Sequence, residues 1–404
     1  MSGCSVENIF RGEAEVSAFL RRTNRTSPIG VDLGSGNIKM AQFKQTPKGL
    51  ALVNFGILPT PEDAIREGKV VNSKRIVEAL KELLKFHSFV GQRIVVSVPG
   101  QLVIVKEILI EELPEDELRE AIKWEMEKFF PFPIEKTTFD YKILNRVIPE
   151  DESPDKLNVM VVAAPLDVVQ SIVDVMKEAS LDPIAIEVEP FSKLRLLQFI
   201  PDFDFKSEIL FVMLNIGHTY TSVSMIDKGM VNFFRTLPIG GKKFTDAIAQ
   251  SLGKNFKVAQ EIKETKLDLN KRKDPVTKAV LPLLDNLLLE VKRSINYYFK
   301  KFNDGKSIDT VILVEGGSAN LKGINEYIEE STSFPASTDR LLADIAEVSP
   351  ELFTKEYLLE MAPFFSVATG LALREHRAKP AIKAKKVREA QKQQKKPVFK
   401  YKKG

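Results

Sequence analysis

Apolar positions form short continuous runs in two distant parts of the chain, and each part predicts the same three-strand unit. In each unit a buried strand meets a turn of small residues, and two further strands follow as hairpins. The predicted strands run from Ile29 to Asp32, over Ile38–Phe43 and Leu50–Gly56 in the first unit, and over Ile209–Gly217, Tyr220–Ile226 and Met230–Thr236 in the second. The repetition indicates two related domains that face each other, with Asp32 and Asn215 at equivalent positions.

Apolar residues at steps of three and four predict helices between these strands. Ser73–Phe86 carries such a stripe, with Ser73 as its N-cap, and a buried strand follows at Arg93–Val98. The strongest pattern covers Leu284–Phe302, where one face is apolar throughout. This helix is therefore predicted to pack in the core and to carry no chemistry.

Residues 101–182 predict strands and helices in an order that differs from the two repeated units. The predicted elements are a strand at Val103–Ile110, a helix at Pro114–Phe130, strands at Asp140–Val147 and Asn158–Ala164, and a helix at Leu166–Ala179. An acidic loop that contains proline, Pro149–Lys156, joins the last two strands. We expect a small α+β subdomain inserted into the first domain.

The turn after the first strand has residues suited to a phosphate group. Gly34 and Gly36 lack a Cβ, so backbone N–H groups can point together at an anion. Asp32 offers an oxygen to a phosphate-bound Mg²⁺, and Lys39 offers a point charge to the phosphates. Hairpins with two glycines and one acid also occur without a ligand, and this plain hairpin remains an alternative.

Further along the chain, three more elements follow in an order that resembles the actin-like ATPase superfamily. These are a second turn at Gly217, a glycine turn within Val311–Gly323, and a small-residue helix at Pro363–Arg374. The resemblance implies an α/β, actin-like (ribonuclease H-like) two-domain ATPase fold with an inserted α+β subdomain in the first domain. It also implies ATP and Mg²⁺ as cofactors, bound in a cleft between the domains.

The resemblance carries a set of site residues onto this sequence, with Asp32 as the metal residue. The implied nucleotide-binding residues are Ser35, Gly36, Asn37 and Lys39 in the first hairpin, Gly217, His218 and Thr219 in the second, Gly240 and Gly241 before the segment Phe244–Leu252, Gln260, Lys263 and Glu264 on a helix, and Gly316, Gly317 and Ser318 beneath the adenosine. As ordinary surface charges, Lys263 and Glu264 would need no ligand, and that alternative stays open.

Glu189 and Asn215 are the candidate catalytic residues implied by the same resemblance. Related enzymes position the attacking water near the segment that holds Glu187 and Glu189, although both acids also suit the positive end of a helix. Hydrolases usually carry Asp where this chain has Asn215, and an amide offers no charge. We therefore expect ATP binding with slow or absent hydrolysis, the nucleotide acting as a structural clamp or as a switch on the interdomain angle.

The inserted subdomain narrows the resemblance to one family. Its Leu-Pro-Glu-Asp-Glu-Leu helix start and its Phe130–Pro133 segment leading to Asp140 and Tyr141 resemble the PilM family of pilus assembly proteins, over about residues 28–376. The FtsA family of cell-division proteins is similar more loosely. FtsA proteins are expected to end in an amphipathic helix with an apolar face, and the lysine-rich end of this chain has no such face.

The PilM resemblance implies a cytoplasmic protein at the inner face of the inner membrane, in the platform that assembles type IV pili for twitching motility. It implies binding of the N-terminal cytoplasmic peptide of the bitopic membrane protein PilN beside the insert, and links to pilus motor ATPases and the platform protein. An FtsA-like filament-forming protein and a sugar kinase remain alternatives, and a type II secretion platform is not separated from a pilus machine.

Composition supports a globular protein and excludes some partners. Of the 404 residues, 44% are hydrophobic and 28% charged, which is ordinary for a soluble domain, and the single Cys4 excludes an intramolecular disulfide. The net charge of +4 arises from the Lys/Arg-rich residues 377–404, so the rest is mildly acidic and no nucleic-acid groove is expected. No apolar run reaches the ~18 residues of a membrane span.

The predicted division of the chain follows from these patterns. It comprises an N-terminal extension (1–27) with a short helix at Val6–Arg22, the first actin-like domain in two parts (28–100 and 183–207), the inserted subdomain (101–182), the second actin-like domain (208–360), a closing helix that returns to the first domain (361–376) and a basic disordered tail (377–404).

Overall fold

The computed structural model of the chain describes residues 26–47, 49–148, 154–200, 208–347 and 353–376. Three predictions lie outside the described residues: the helix Val6–Arg22, the basic tail 377–404 and much of the acidic loop Pro149–Lys156. The division into domains stays a prediction, and we keep its names for the parts described below.

The first domain contains a mixed sheet, and a second, three-stranded sheet is inserted after its sixth strand. In chain order the elements are β1 (Ile29–Leu33), β2 (Asn37–Gln45), β3 (Leu50–Pro59), β4 (Ile65–Arg66), β5 (Lys69–Val70), α1 (Ser73–Phe86), β6 (Arg93–Val98), β7 (Ile104–Glu111), α2 (Glu115–Met126), β8 (Thr137–Val147), β9 (Lys156–Pro165), α3 (Leu166–Glu178), β10 (Asp182–Val188) and α4 (Glu189–Leu197).

The second domain repeats the opening of the first and ends with a long helix that returns to it. Its elements are β11 (Ile209–Ile216), β12 (Thr221–Asp227), β13 (Met230–Leu237), α5 (Gly241–Leu252), α6 (Phe256–Lys266), α7 (Pro275–Phe302), β14 (Asp309–Glu315), α8 (Ile324–Thr332), β15 (Ala336–Thr338), α9 (Leu341–Ile345), β16 (Ala346–Glu347) and α10 (Lys355–Ala372). Among the described helices, none is long and apolar enough to cross a lipid bilayer.

The two large sheets share one topology. Their strand orders are β10-β6-β1-β2-β3-β16 and β15-β14-β11-β12-β13, so β11, β12 and β13 correspond to β1, β2 and β3. Asp32 pairs with Lys39 across β1 and β2, and Asn215 pairs with Ser222 across β11 and β12. The structure thus has the duplication that the hydrophobic pattern predicts, and it brings the carboxyl ends of β1 and β11 to a common cleft.

The inserted sheet has the order β7-β9-β8, and α2 covers one of its faces. Alternate residues of β7 therefore separate into two sets: Ile108 packs against α2, while Val105 packs into the core of the first domain. The insert is fixed to the first domain through this second face.

The closing helix α10 crosses the first domain at very short range. A Cβ built on Gly30 of β1 would lie 1.9 Å from the carbonyl oxygen of Ala368, and one built on Gly370 would lie 2.1 Å from that of Ser192 on α4. A shared hydrophobic cluster, with residues from both large sheets and from α4 and α10, surrounds this crossing. The two domains are therefore joined by a common core beneath the cleft.

Helix α1 has its predicted bounds, but its predicted N-cap is wrong, and so are the predicted starts of α7 and α10. The N-cap of α1 is Asn72, whose side chain accepts from the Arg75 N–H at 3.3 Å. Helix α7 begins at Pro275, and α10 begins at Lys355, well before the predicted positions. In both cases a proline lies inside the helix, Pro282 in α7 and Pro363 in α10, and a proline there costs a hydrogen bond without ending the helix when packing supports it.

Candidate functional site

A cleft of about 550 Å³ lies between the two domains, within the range of small-molecule sites. It brings together most of the predicted site residues from distant parts of the chain. The predicted residues that line it are Asp32, Ser35, Gly36, Asn37, Lys39, Glu189, Asn215, Gly217, His218, Gly241, Gln260, Lys263, Glu264, Gly316, Gly317 and Ser318. Thr219 and Gly240 are not part of this lining.

The two glycine hairpins meet at one end of the cleft. The hydroxyl groups of Ser35 and Thr219 share a hydrogen bond of 2.9 Å, and a Cβ on Gly36 would lie 2.6 Å from the Cβ of His218. Thr60 holds the first hairpin from β3, since its N–H donates to the Gly36 carbonyl at 3.0 Å. This narrow approach explains the need for glycine at position 36.

Asp32 and Lys39 form an ion pair at the mouth of the first hairpin. Their Oδ2 and Nζ atoms lie 2.6 Å apart, and both side chains line the cleft with about a sixth of their surface exposed. A carboxylate oxygen here suits a hard cation carried by a nucleotide, and the ammonium suits the phosphates themselves. Within the described residues, no three or more His, Cys, Asp or Glu side chains are grouped so that they could hold a metal ion. A cation beside Asp32 would therefore need further oxygen ligands from the nucleotide or from water.

The helix after the second hairpin begins at Gly241, earlier than the predicted segment Phe244–Leu252. Its first N–H groups are already engaged: Gly241 N donates to the Gly217 carbonyl at 2.8 Å, and Lys242 N donates to that of His218 at 2.7 Å. A Cβ on Gly240 would lie 2.6 Å from the His218 oxygen. Gly240 and Gly241 thus fix the second hairpin to α5.

Lys263 of α6 lies beside Gly241 in the wall of the cleft and is buried. Its Nζ donates to the Gly241 carbonyl at 3.1 Å, to Thr245 at 3.0 Å and to Gln260 at 2.9 Å, and Gln260 in turn donates to Glu264. Burial lowers the pKa of Lys263 to about 8. Burial also lowers the pKa of His218, with further lowering by the Lys263 charge.

The glycine turn after β14 opens onto the same cleft. Gly316 has a φ of +82°, and a Cβ there would lie 2.4 Å from the Asn215 Oδ1. Its N–H donates to the Pro363 carbonyl inside α10 at 2.8 Å. Gly317 approaches the ring of Phe364, at 3.1 Å from a built Cβ. The donor set and the bare backbone fit a nucleotide, with glycine turns at both ends of the cleft and cations along it.

Glu189 has its carboxylate held by three donors. Asn215 Nδ2 at 2.8 Å, Ser222 Oγ at 2.5 Å and Lys193 Nζ at 2.5 Å all reach Oε1. Burial acts to raise the pKa of Glu189, but the Lys193 charge and these hydrogen bonds bring it below its usual value. Asn215 donates a hydrogen bond that an ionised Asp could not, so the amide suits this site.

Two further side chains belong to this network and have no signal in the sequence. Lys193 is fully buried, and its Nζ lies 2.7 Å from Oε2 of Glu315, also fully buried. Spacing of four residues between Glu189 and Lys193 is typical of a solvent-exposed helix pair, so the pattern gave no reason to select either Lys193 or Glu315.

Glu187, considered alongside Glu189 for water positioning, lies outside the cleft lining. Its carboxylate is buried against Arg195, at 2.9 Å, and Arg374 of the short turn after α10. Burial acts to raise the pKa of Glu187, but the two guanidinium groups lower it below its usual value. Glu187 therefore ties the end of the closing helix to the first domain.

Burial raises the pKa of Glu315 to about 7; Lys193 opposes this rise, while the Asp339 and Glu189 carboxylates add to it. An unfolded Glu has an ordinary, lower pKa, so folding favours the protonated group. The contribution of protonated Glu315 to the free energy of unfolding is therefore complete below the pKa of an unfolded Glu. It is lost as pH rises through about 7, because the buried group must then ionise.

Glu315→Gln should therefore stabilise the protein at high pH. We expect the variant to gain about 3 kcal/mol in free energy of unfolding over the native chain near pH 8, and almost none near pH 4, below the pKa of an unfolded Glu. Urea unfolding at both pH values measures the difference, with Glu326→Gln on the exposed face of α8 as the control. A loss of stability near pH 8 would show instead that the ion pair with Lys193 is net stabilising.

Comparisons with known proteins agree with this geometry. The family described as type IV pilus assembly protein PilM matches residues 30–376. A solved PilM-PilN type IV pilus biogenesis complex is 28% identical, with a TM-score of 0.74 over 88% of this chain and 99% of that chain. The ethanolamine utilization protein EutJ from Carboxydothermus hydrogenoformans is 15% identical, with a TM-score of 0.51 over 91% of this chain and 97% of that chain. The predicted actin-like fold and the family resemblance are confirmed.

Proposed function

The chain belongs to the type IV pilus assembly protein PilM family, and from this premise we propose that it is the cytoplasmic, ATP-binding actin-like component of the pilus inner-membrane assembly platform. The observation that carries the proposal is the cleft, where two duplicated hairpins and a third glycine turn converge. The family match is to PilM over residues 30–376, which favours this proposal over the looser resemblance to filament-forming FtsA proteins.

In this proposal ATP lies with its phosphates between the two hairpins and its adenosine near the turn at Gly316. Mg²⁺, when bound, supplies charge neutralisation to the phosphates, with Asp32 as the nearest carboxylate on the first hairpin. Ser35, which is hydrogen-bonded to Thr219, and the backbone of the hairpins hold the phosphates, and Lys39 and Lys263 add positive charge. Glu189 is ionised, but Lys193 and two hydrogen-bond donors already occupy one of its oxygens, which favours slow or absent hydrolysis.

The proposed partner is the N-terminal cytoplasmic peptide of a PilN protein, which would bring the chain to the inner face of the inner membrane. The solved relative is a PilM-PilN complex. In the insert, β7 and β8 are the edge strands, so each offers an unpaired edge to an extended peptide. Leu109 of β7 is 59% exposed and lies on the same face of the sheet as Val105, which packs into the first domain. The proposal also includes binding to the pilus motor ATPases and to the platform protein.

A peptide titration tests the partner. We expect a synthetic peptide of the N-terminal segment of the same organism's PilN to bind the native chain saturably in fluorescence anisotropy. Leu109→Asp should weaken this binding by at least about tenfold, because a charge would replace apolar contact. The matched control is Leu289→Asp on α7, where the leucine is also about half exposed and lies in the second domain.

Equal weakening by both variants would mean that Leu109 has no special part in the peptide site. No binding of the peptide to the native chain would contradict the proposed partner.

A further inference from the structure

Lys193 is a fully buried cation at the point where the two domains meet beneath the cleft. It lies on α4, which belongs to the first domain. Its Nζ contacts Oε1 of Glu189 on the same helix at 2.5 Å, and Oε2 of Glu315 at the end of β14 in the second domain at 2.7 Å. Ser222 of β12 completes the contact at 3.3 Å.

The network carries more negative than positive charge. One ammonium stands between the carboxylates of Glu189 and Glu315, and Asp339 adds a third buried carboxyl that interacts with both Lys193 and Glu315. Asp339 is held by the Ser366 hydroxyl of α10 at 2.5 Å. The Lys193 ammonium is the only group among the described residues that contacts the Glu315 carboxylate as a donor. Loss of the ammonium would leave these buried carboxylates without compensation.

Glu189 is the member of this network that reaches the cleft. Its side chain is 14% exposed and lines the cavity, while its Oε1 is turned inward to Lys193, Ser222 and Asn215. The orientation of the carboxylate is therefore set from behind by groups that a ligand does not touch. The charge of the cleft wall at this point depends on whether Lys193 is present.

We propose that Lys193 is a positioning residue of the nucleotide cleft, which fixes the Glu189 carboxylate and compensates the negative charge of the wall beside the phosphate hairpins. The inference rests on the nucleotide-binding function proposed above. It assigns to one buried ammonium both the orientation of a cleft residue and the ionic link between the two domains.

Lys193→Met tests the proposal, because methionine has similar length and no charge. We expect ATP affinity, measured by calorimetry with Mg²⁺, to fall at least about tenfold near pH 8 and less than about threefold near pH 6, since protonation relieves the uncompensated carboxylates. The double variant Lys193→Met/Glu315→Gln removes one cation and one carboxylate, and it should recover most of the affinity. Lys278→Met, at an exposed position of α7, is the matched control.

An equal loss at both pH values, or no recovery in the double variant, would show a packing role and overturn the proposal. Unaltered affinity in Lys193→Met would overturn it as well.

Thermal unfolding supplies a readout that does not involve nucleotide. The melting temperature of Lys193→Met should fall steeply between about pH 6 and about pH 8, and that of the double variant by less than about half as much. If the native chain bound no ATP, the nucleotide function would fail, and the charge-compensating role of Lys193 would be judged on these melting temperatures. An equal fall in melting temperature for the two variants over this pH range would overturn the charge-compensating role.

Discussion

Gly370→Ala is expected to lower the free energy of unfolding by about 3 kcal/mol. The added Cβ would lie 2.1 Å from the carbonyl oxygen of Ser192 and 2.6 Å from its carbonyl carbon. Both contacts involve backbone, so α10 and α4 must separate at the crossing that holds the two domains together. Alanine in place of glycine usually gains about 1 kcal/mol within a helix, and the steric cost must exceed that gain.

Urea unfolding followed by circular dichroism measures this change. Gly49→Ala is the matched control, because a Cβ at position 49 would have open space around it. A Gly370→Ala stability within about 0.5 kcal/mol of the native chain would mean that the crossing can relax, and it would contradict the rigid contact between the helices.

Gly316→Ala is expected to weaken ATP binding by at least about 100-fold, which corresponds to about 2.7 kcal/mol. The residue has a φ of +82° and a ψ of 175°, a conformation that is essentially restricted to glycine. Its Cβ would also lie 2.4 Å from Oδ1 of Asn215 and 2.6 Å from the carbonyl oxygen of Ile216. The turn must therefore move, and with it the strand end that faces the cleft.

Gly317→Ala provides a demanding control one residue further on. Its Cβ would approach the outer edge of the Phe364 ring at 3.1 Å, and a ring can shift more easily than backbone. We expect less than about fivefold weakening there. Calorimetry with ATP and Mg²⁺ compares the two variants, and circular dichroism checks that both are folded. A Gly316→Ala affinity within about threefold of the native value would exclude this turn from the nucleotide site.

The repeated strand units could be predicted from the sequence because each is built from local signals. Buried strands such as Ile209–Ile216 are nearly continuous apolar runs, and glycine turns bound them. Helix starts were less predictable. The resemblance to the superfamily's closing helix placed the start of α10 at Pro363, whereas Thr354 caps the helix and Pro363 lies inside it.

The cleft residues on glycine hairpins could also be selected from the sequence, because their chemistry is local. The network behind them could not. Lys193 and Glu315 are far apart in the chain, and the contact between them depends on how α4 sits against the end of β14. Likewise, Glu187 and Glu189 have the same local sequence signal, and only tertiary contacts distinguish them. Glu187 forms a buried ion pair with Arg195, whereas Glu189 lies on the cleft wall.

Nucleotide binding by the full chain is the measurement that tests the account most directly. We predict that calorimetric titration with ATP and Mg²⁺ will give saturable binding of one nucleotide per chain, with competition by ADP and negligible turnover in the same sample. The absence of saturable binding up to about 1 mM nucleotide would contradict the proposed function, and the cleft would then be a structural feature of the fold without a nucleotide.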